Sequence, residues 1–281
     1  MAFKGRRAVD PHVVMAEVVN TKRITPNMMR VTLGGEEMAQ FTPAGYDQWF
    51  RLFLPRPGQD MLRLPTRTSG LWYAEYLTTP KARRPWVRNY TVRAARPDLH
   101  EIDVDFVLHA DDAPSGTGTH TSGPGAGFAE AADRGMRVGV LDQGITYDVL
   151  HPHDRTLLVA DESGLPAVAG ICESLPDDAR GTAVVEVPTA ADIQEFRTPR
   201  GVELCWVVRS DGAPDAVPGQ AALAELCALD LAGHASDVYA FTIGESSLAT
   251  GARRHLVGER GVPKAHVDFV GYWRHGRSSP G

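Results

Sequence analysis

The chain has 281 residues, enough for two domains of ordinary size. Lys and Arg total 29 against 35 Asp and Glu, a net charge of −6, which argues against a general nucleic-acid binder, since that role needs clustered excess cation. A content of 43% hydrophobic and 23% charged residues excludes a disordered chain, and 28 Gly with 20 Pro point to many turns and much β-structure.

The first half reads as strands. Val13 to Val19 is apolar around Glu17, and Arg30-Val31-Thr32-Leu33 stops at Gly34-Gly35. Phe50 to Leu54 alternates up to Pro55, as does Arg88 to Arg93, and Ile102 to Leu108 is a clean period-two strand. A short Ala-rich helical stretch, Phe128 to Ala132, precedes Arg137-Val138-Gly139-Val140-Leu141. Six short strands with turn signals and one small helix predict an antiparallel barrel.

After about residue 150 the pattern changes. Thr156 to Ala160 is an unbroken apolar run, as expected of a strand covered on both faces. A helical pattern follows over Ala167 to Leu175. Further buried strands are predicted at Ala183 to Val187, Val202 to Val208, Val238 to Ile243 and His266 to Val270, with helices at Gln220 to Leu231 and Ser247 to Arg260. This alternation predicts a parallel, doubly wound sheet. The boundaries are 1–150 for the barrel and 151–281 for the α/β domain with a C-terminal aromatic tail, the joint being His151-Pro152-His153-Asp154.

The three cysteines, Cys172, Cys205 and Cys227, are widely spaced and include no C-x-x-C pair. They support neither a disulfide framework nor a metal cluster and read as small hydrophobes in a reducing compartment. The basic start Lys4-Gly5-Arg6-Arg7 has no apolar run behind it, and no apolar stretch is long enough to span a bilayer. The expectation is a cytoplasmic protein without a membrane span.

Four segments carry chemistry. In Arg88-x-Tyr90-Thr91-x-Arg93, a cation, a flat aromatic and a hydroxyl suit a flavin dinucleotide, with Arg taking the pyrophosphate; alone, the segment reads more simply as an ordinary strand. Gly123-Pro124-Gly125-Ala126-Gly127 precedes a helix start, where backbone amides attract phosphate; a plain turn is the simpler reading. Asp161-Glu162-Ser163-Gly164-Leu165-Pro166 follows a buried strand without the G-x-G-x-x-G fingerprint; Ser163 can reach a nicotinamide there, or simply cap the helix. Gly244-Glu245-Ser246 and Gly271-Tyr272-Trp273-Arg274-x-Gly276 offer aromatic rings that stack on a cofactor or close the fold.

The order of these segments, with Arg23-Ile24-Thr25-Pro26-Asn27 near the start, resembles the siderophore-interacting protein family over Val13 to Gly276. That resemblance implies a six-stranded Greek-key flavin barrel followed by a nicotinamide-binding α/β domain. It implies FAD held by Arg88, Tyr90, Thr91, Val107, His109, Gly123, Pro124, Gly125 and Ala126. NADPH or NADH would face Asp161, Glu162, Ser163 and Glu245, with Tyr272 and Trp273 covering the cofactor and Thr91 and Ser163 beside the reacting atoms. The family pattern Gly-Pro-Ala-Ser-x-Trp-Ala is altered here: Gly125, Ala126 and Phe128 replace Ala, Ser and Trp. The lost Ser removes a phosphate donor, for which Ser115, Thr117, Thr119, His120, Thr121 and Ser122 are substitutes. Ala160 and Ser163 likewise replace the family's Gly and Thr.

The implied activity is transfer of hydride from NAD(P)H to FAD and of single electrons to Fe(III) in a ferric siderophore, releasing Fe(II). A ferredoxin is an alternative donor. Arg83, Arg84, Arg253, Arg254 and Lys264 are candidates for an anionic chelate, the last three also for the 2′-phosphate of NADPH. No protein metal ligands are evident. The alternatives are a flavin-dependent NAD(P)H reductase serving a protein acceptor, and a siderophore- or flavin-binding module without turnover.

Overall fold

The computed structural model describes residues 5–56, 58–59, 61–67, 71–108, 123–231 and 233–277. The chain divides into two compact units, Met1–Thr146 and Tyr147–Pro280.

The first unit is one antiparallel, barrel-like sheet of seven strands. They are β1 (Val13–Thr25), β2 (Met28–Gly34), β3 (Trp49–Leu54), β4 (Trp86–Thr91), β5 (Ala94–Arg96), β6 (Glu101–Val107) and β7 (Arg137–Gly144), in the order β4-β3-β7-β1-β2-β6-β5. The sequence predicted six. The seventh, β5, is three residues long and gives no alternation to read, although it pairs with β6 through Ala94–Asp103 and Ala95–Ile102. β1 runs six residues beyond the predicted Val19, because its polar end Asn20 to Arg23 is held by pairing with β2 rather than by burial.

Alternate residues of the strands point inward. Val14, Ala16, Val31, Leu33, Phe50, Leu52, Leu54, Ile102, Val104, Phe106, Val138 and Val140 form one core, closed by Ala126 and Ala129 of helix α2 (Pro124–Ala131). A smaller cluster lies on the outer face. There Phe53 and Leu141 pack under Trp72 and Tyr76 of helix α1 (Leu71–Thr78), an element without a signature in the sequence. On the outer side of β2, β5 and β6, Arg30 grips Asp105 and Arg96 grips Asp103, each through two short hydrogen bonds of 2.7 to 2.8 Å.

The second unit is a five-stranded parallel sheet in the order β10-β9-β8-β11-β12. Its strands are β8 (Arg155–Ala160), β9 (Arg180–Val187), β10 (Gly201–Val208), β11 (Val238–Glu245) and β12 (Val267–Trp273). Helix α3 (Leu165–Ser174) lies against β8, buried from Leu165 to Cys172. Helices α5 (Gln220–Ala228) and α6 (Ser246–Gly258) pack together with Leu157, Val159, Val184, Val238 and Ala240. One further turn of helix, α4 (Arg209–Gly212), follows β10. β11 is buried at every position, which explains why it is apolar from Val238 to Phe241. Among the described residues no helix is long and apolar enough to cross a membrane.

Candidate functional site

In the first unit the candidate site is built on β4, an edge strand of the sheet. Cross-strand pairing sets its faces. Trp86, Arg88 and Tyr90 stand opposite Leu54, Leu52 and Phe50, on the core side, whereas Val87, Asn89 and Thr91 take the other. The Tyr90 ring lies 4.3 Å from that of Phe106, which in turn lies 5.9 Å from Phe128. Burial raises the Tyr90 hydroxyl above its ordinary range against the pull of Arg88, so it stays neutral and able to donate. Arg88 is half-buried, and its Nη1 donates to the Val87 carbonyl at 2.8 Å. No carboxylate pairs with it among the described residues.

Helix α2 begins at this site. Gly123 is its N-cap without a side-chain cap, and Pro124 occupies the first turn. The Gly127 amide closes onto the Gly123 carbonyl at 2.9 Å, while the Gly125 and Ala126 amides stand in the first turn, where no intrahelical acceptor exists. A Cβ on Gly125 would come within 1.9 Å of Tyr90 Oη. In this chain the tyrosine hydroxyl thus occupies the space that an alanine methyl at position 125 would need. Ala126 packs into the barrel core, so it offers its amide alone, and a serine there would bury its hydroxyl. The set is a cation, a neutral hydroxyl and two amides, all donors, and it fits the anionic pyrophosphate of a dinucleotide.

Two of the expected cofactor residues face away from Tyr90. Val107 lies on the face of β6 opposite Phe106, paired with Met28, so Phe106 and not Val107 meets Tyr90. Thr91 ends β4, buried beside Trp49 and on the far face from Tyr90. His109, and the suggested donors Ser115 to Ser122, lie outside the described residues. Arg84 is committed to the Leu77 and Thr79 carbonyls at 2.6 and 3.0 Å, with its guanidinium over the Tyr76 ring. Arg83 is exposed.

In the second unit the strand order reverses between β8 and β11, and ligands of such sheets bind at the carboxyl ends there. Asp161, the residue after β8, closes that point. Its carboxylate accepts the Ser163 amide at 2.9 Å, the Ser163 hydroxyl at 2.5 Å, the Glu245 amide at 2.6 Å and Trp273 Nε1 at 3.3 Å. Gly244 has φ +124°, and a Cβ there would stand 2.6 Å from the same carboxylate. Burial, reinforced by the charge of Glu162, pushes the Asp161 carboxyl up to about 7, against the pull of these hydrogen bonds.

The neighbouring acids are also spoken for. Glu162 takes Arg209 Nη1 and Nη2 at 3.1 and 2.9 Å, and Arg209 Nη1 also reaches Glu186 at 2.5 Å. Glu186 then caps α5 through the Gly219 and Ala222 amides at 3.0 and 2.9 Å. Burial opposes the Arg209 charge, but the two carboxylates raise its pKa above the ordinary value. Glu245 caps α6 through the Ser247 amide and hydroxyl and takes the His275 amide at 3.1 Å. Those bonds hold its carboxyl below the usual range despite burial.

Glu162, expected to face a nicotinamide, is thus locked in a buried ion triad, and the Ser163 hydroxyl is given to Asp161. Tyr272 and Trp273 are half-buried at the carboxyl end of β12 rather than on a tail. Arg253 lies over the Phe269 ring and Arg254 is exposed, both past the middle of α6. Lys264 precedes β12 and so sits at the amino edge of the sheet, away from the carboxyl edge where ligands bind. Phe106, Glu186 and Arg209 were missed. Phe106 follows from its place in the alternation of β6, but nothing local marks the Arg209 triad, whose members are 23 and 47 residues apart. No group of three or more His, Cys, Asp or Glu among the described residues is placed to hold a metal.

The two units match two family models. Residues 17–146 match a siderophore-interacting FAD-binding domain, and residues 153–276 match the siderophore-interacting protein family. The chain is 28% identical to the ferric vibriobactin reductase ViuB of Vibrio cholerae, over 94% of this chain and 90% of that one. It is also 28% identical to an NADPH-dependent ferric-chelate reductase of Escherichia coli, over 91% of each. A solved siderophore utilization protein from T. fusca superposes with a TM-score of 0.75 at 31% identity, over 97% of this chain and 98% of that one. None of these names mentions a ferredoxin donor. With both units matched by family models and relatives aligned over nine-tenths or more of their length, the chain belongs to the siderophore-interacting protein family.

Proposed function

We propose that this protein is an FAD-dependent ferric-siderophore reductase that takes its electrons from NADPH or NADH. The observation that carries the reading is the donor set at the start of α2. Arg88 has no acidic partner among the described residues, and Tyr90 and the first-turn amides stand beside it with no carboxylate among them. Bound FAD would supply the conversion between a two-electron donor and a one-electron acceptor. Arg88 would hold the pyrophosphate, with Tyr90 and the Gly125 and Ala126 amides completing the cradle.

In the second unit, Asp161 orients Ser163, the Glu245 main chain and Trp273 at the carboxyl edge where a nicotinamide would enter. The Arg209 triad ties the ends of β8, β9 and β10 together at that edge. No proton transfer by a side chain is required. Reduction of Fe(III) to Fe(II) lowers the charge on a hard ion held by siderophore oxygens, which loosens the chelate. A ferredoxin donor has no support in the relatives, and the cytoplasm is the compartment we propose.

The test is an absorption spectrum of the purified protein, then anaerobic addition of NADPH or NADH, then of a ferric siderophore with an Fe(II)-trapping dye. The expected result is a yellow protein that bleaches, recovers with the siderophore and yields trapped Fe(II). A protein that neither carries nor takes up FAD would overturn the reading. Recovery with a protein acceptor alone would favour a reductase of the other kind.

A further inference from the structure

Helix α1 is apolar on both faces. Trp72 and Tyr76 are buried against Phe53 and Leu141, but Leu71, Tyr73 and Leu77 remain 55%, 51% and 48% exposed. Ala74 is exposed as well, and at about 100° per residue Tyr73, Leu77, Ala74 and Leu71 share one outward face, with the exposed Thr78 between the last two. Helices that are apolar all round are ordinarily covered all round. This one has a bare side.

The segments flanking that helix are basic. Glu75 accepts the Thr66 and Arg67 amides, each at 2.9 Å, which sets Arg67 beside the middle of the helix. Arg84 binds the carbonyls at its end, and exposed Lys81 and Arg83 follow directly. Exposed Arg63 precedes Leu64, which packs beneath α1. Residues 61–84 hold five Lys or Arg against one acid, Glu75, in a chain of net charge −6. The carboxylate of that one acid is turned onto backbone amides.

We propose that this face docks the protein onto an anionic lipid surface. The stripe of Leu71, Tyr73, Ala74 and Leu77 enters the headgroup boundary, and Arg63, Arg67, Lys81 and Arg83 meet the lipid phosphates. Eight residues are too few to span a bilayer, so the helix lies on the surface. Tyr beside Leu with a cationic border is the composition that such interfaces select. The proposal stands independently of the reductase reading.

The experiment is flotation of the whole protein with vesicles of phosphatidylcholine alone or mixed with phosphatidylglycerol, at low and high salt. Binding is expected only with phosphatidylglycerol, weakening as salt rises. Tyr73→Ser with Leu77→Ser, and separately Arg67→Glu with Lys81→Glu, should each lower partitioning roughly tenfold or more. Trp72 and Tyr76 are untouched in both variants, and an unchanged circular dichroism spectrum and melting curve establish that they fold. Absence of binding to phosphatidylglycerol vesicles overturns the proposal. So does binding that survives both variants. A dimer in sedimentation velocity that the first variant abolishes, without any lipid binding, would assign the face to a second copy instead.

Discussion

The two units offer a ligand opposite chemistry. At the start of α2 the barrel presents a cation, a neutral hydroxyl and main-chain amides, with no acid among them. At the carboxyl edge of the parallel sheet the conspicuous groups are carboxylates, and each is already bonded within the protein. The first arrangement leaves donors over for an anion. The second uses its charges to fix loops in place. Residues of similar promise in sequence therefore divide into those available to a cofactor and those that shape its surroundings.

Removing Arg209 should have the largest effect. Arg209→Met leaves Glu162 and Glu186 buried without a counter-charge, and stability in urea should fall by about 3–5 kcal/mol. A triple variant that also carries Glu162→Gln and Glu186→Gln should recover part of this. An unchanged urea midpoint for Arg209→Met would mean that the triad does not hold the edge.

The next effect tests the barrel side. Arg88→Ala removes a charged donor, worth roughly 1.5–3 kcal/mol, so FAD affinity should drop about tenfold to a hundredfold with little change in the urea midpoint. Gly125→Ala should cost about 1–3 kcal/mol by overpacking against the Tyr90 hydroxyl. Tyr90→Phe should relieve most of that cost in the double variant, which thermal melts of the four proteins would show.

A further effect concerns pH. Asp161 titrates at about 7 in the folded protein against an ordinary value of 3.8. Between those values the native state holds more protons than the unfolded one, so this group makes stability decline as pH rises through the window. In Asp161→Asn that part of the decline should vanish, as denaturation at intervals from acid to neutral pH would reveal.

Much of the fold was legible because burial imposes a period. β6 alternates cleanly since one face meets the core, and β8 and β11 read as buried, mostly apolar strands since both faces are covered. α1 was missed for the converse reason: Leu71-Trp72-Tyr73-Ala74-Glu75-Tyr76-Leu77 is apolar on all sides and shows no stripe. β5 is too short to show any pattern. At the site, motif order located the strand ends but not the facing of side chains: the barrel turns Phe106 inward against Tyr90 and Val107 to the other face. The role of Glu162 was hidden because it depends on Arg209, brought near only by the parallel pairing of β8, β9 and β10.

The comparison of the two units is tested most directly by calorimetric titration of FAD into flavin-free protein, wild type beside Arg88→Ala and Asp161→Asn. Tight binding by the wild type, weakening about tenfold or more in Arg88→Ala and unchanged binding in Asp161→Asn are the predicted results. Equal affinity of Arg88→Ala and wild type, or loss of FAD binding through Asp161→Asn alone, would contradict the account.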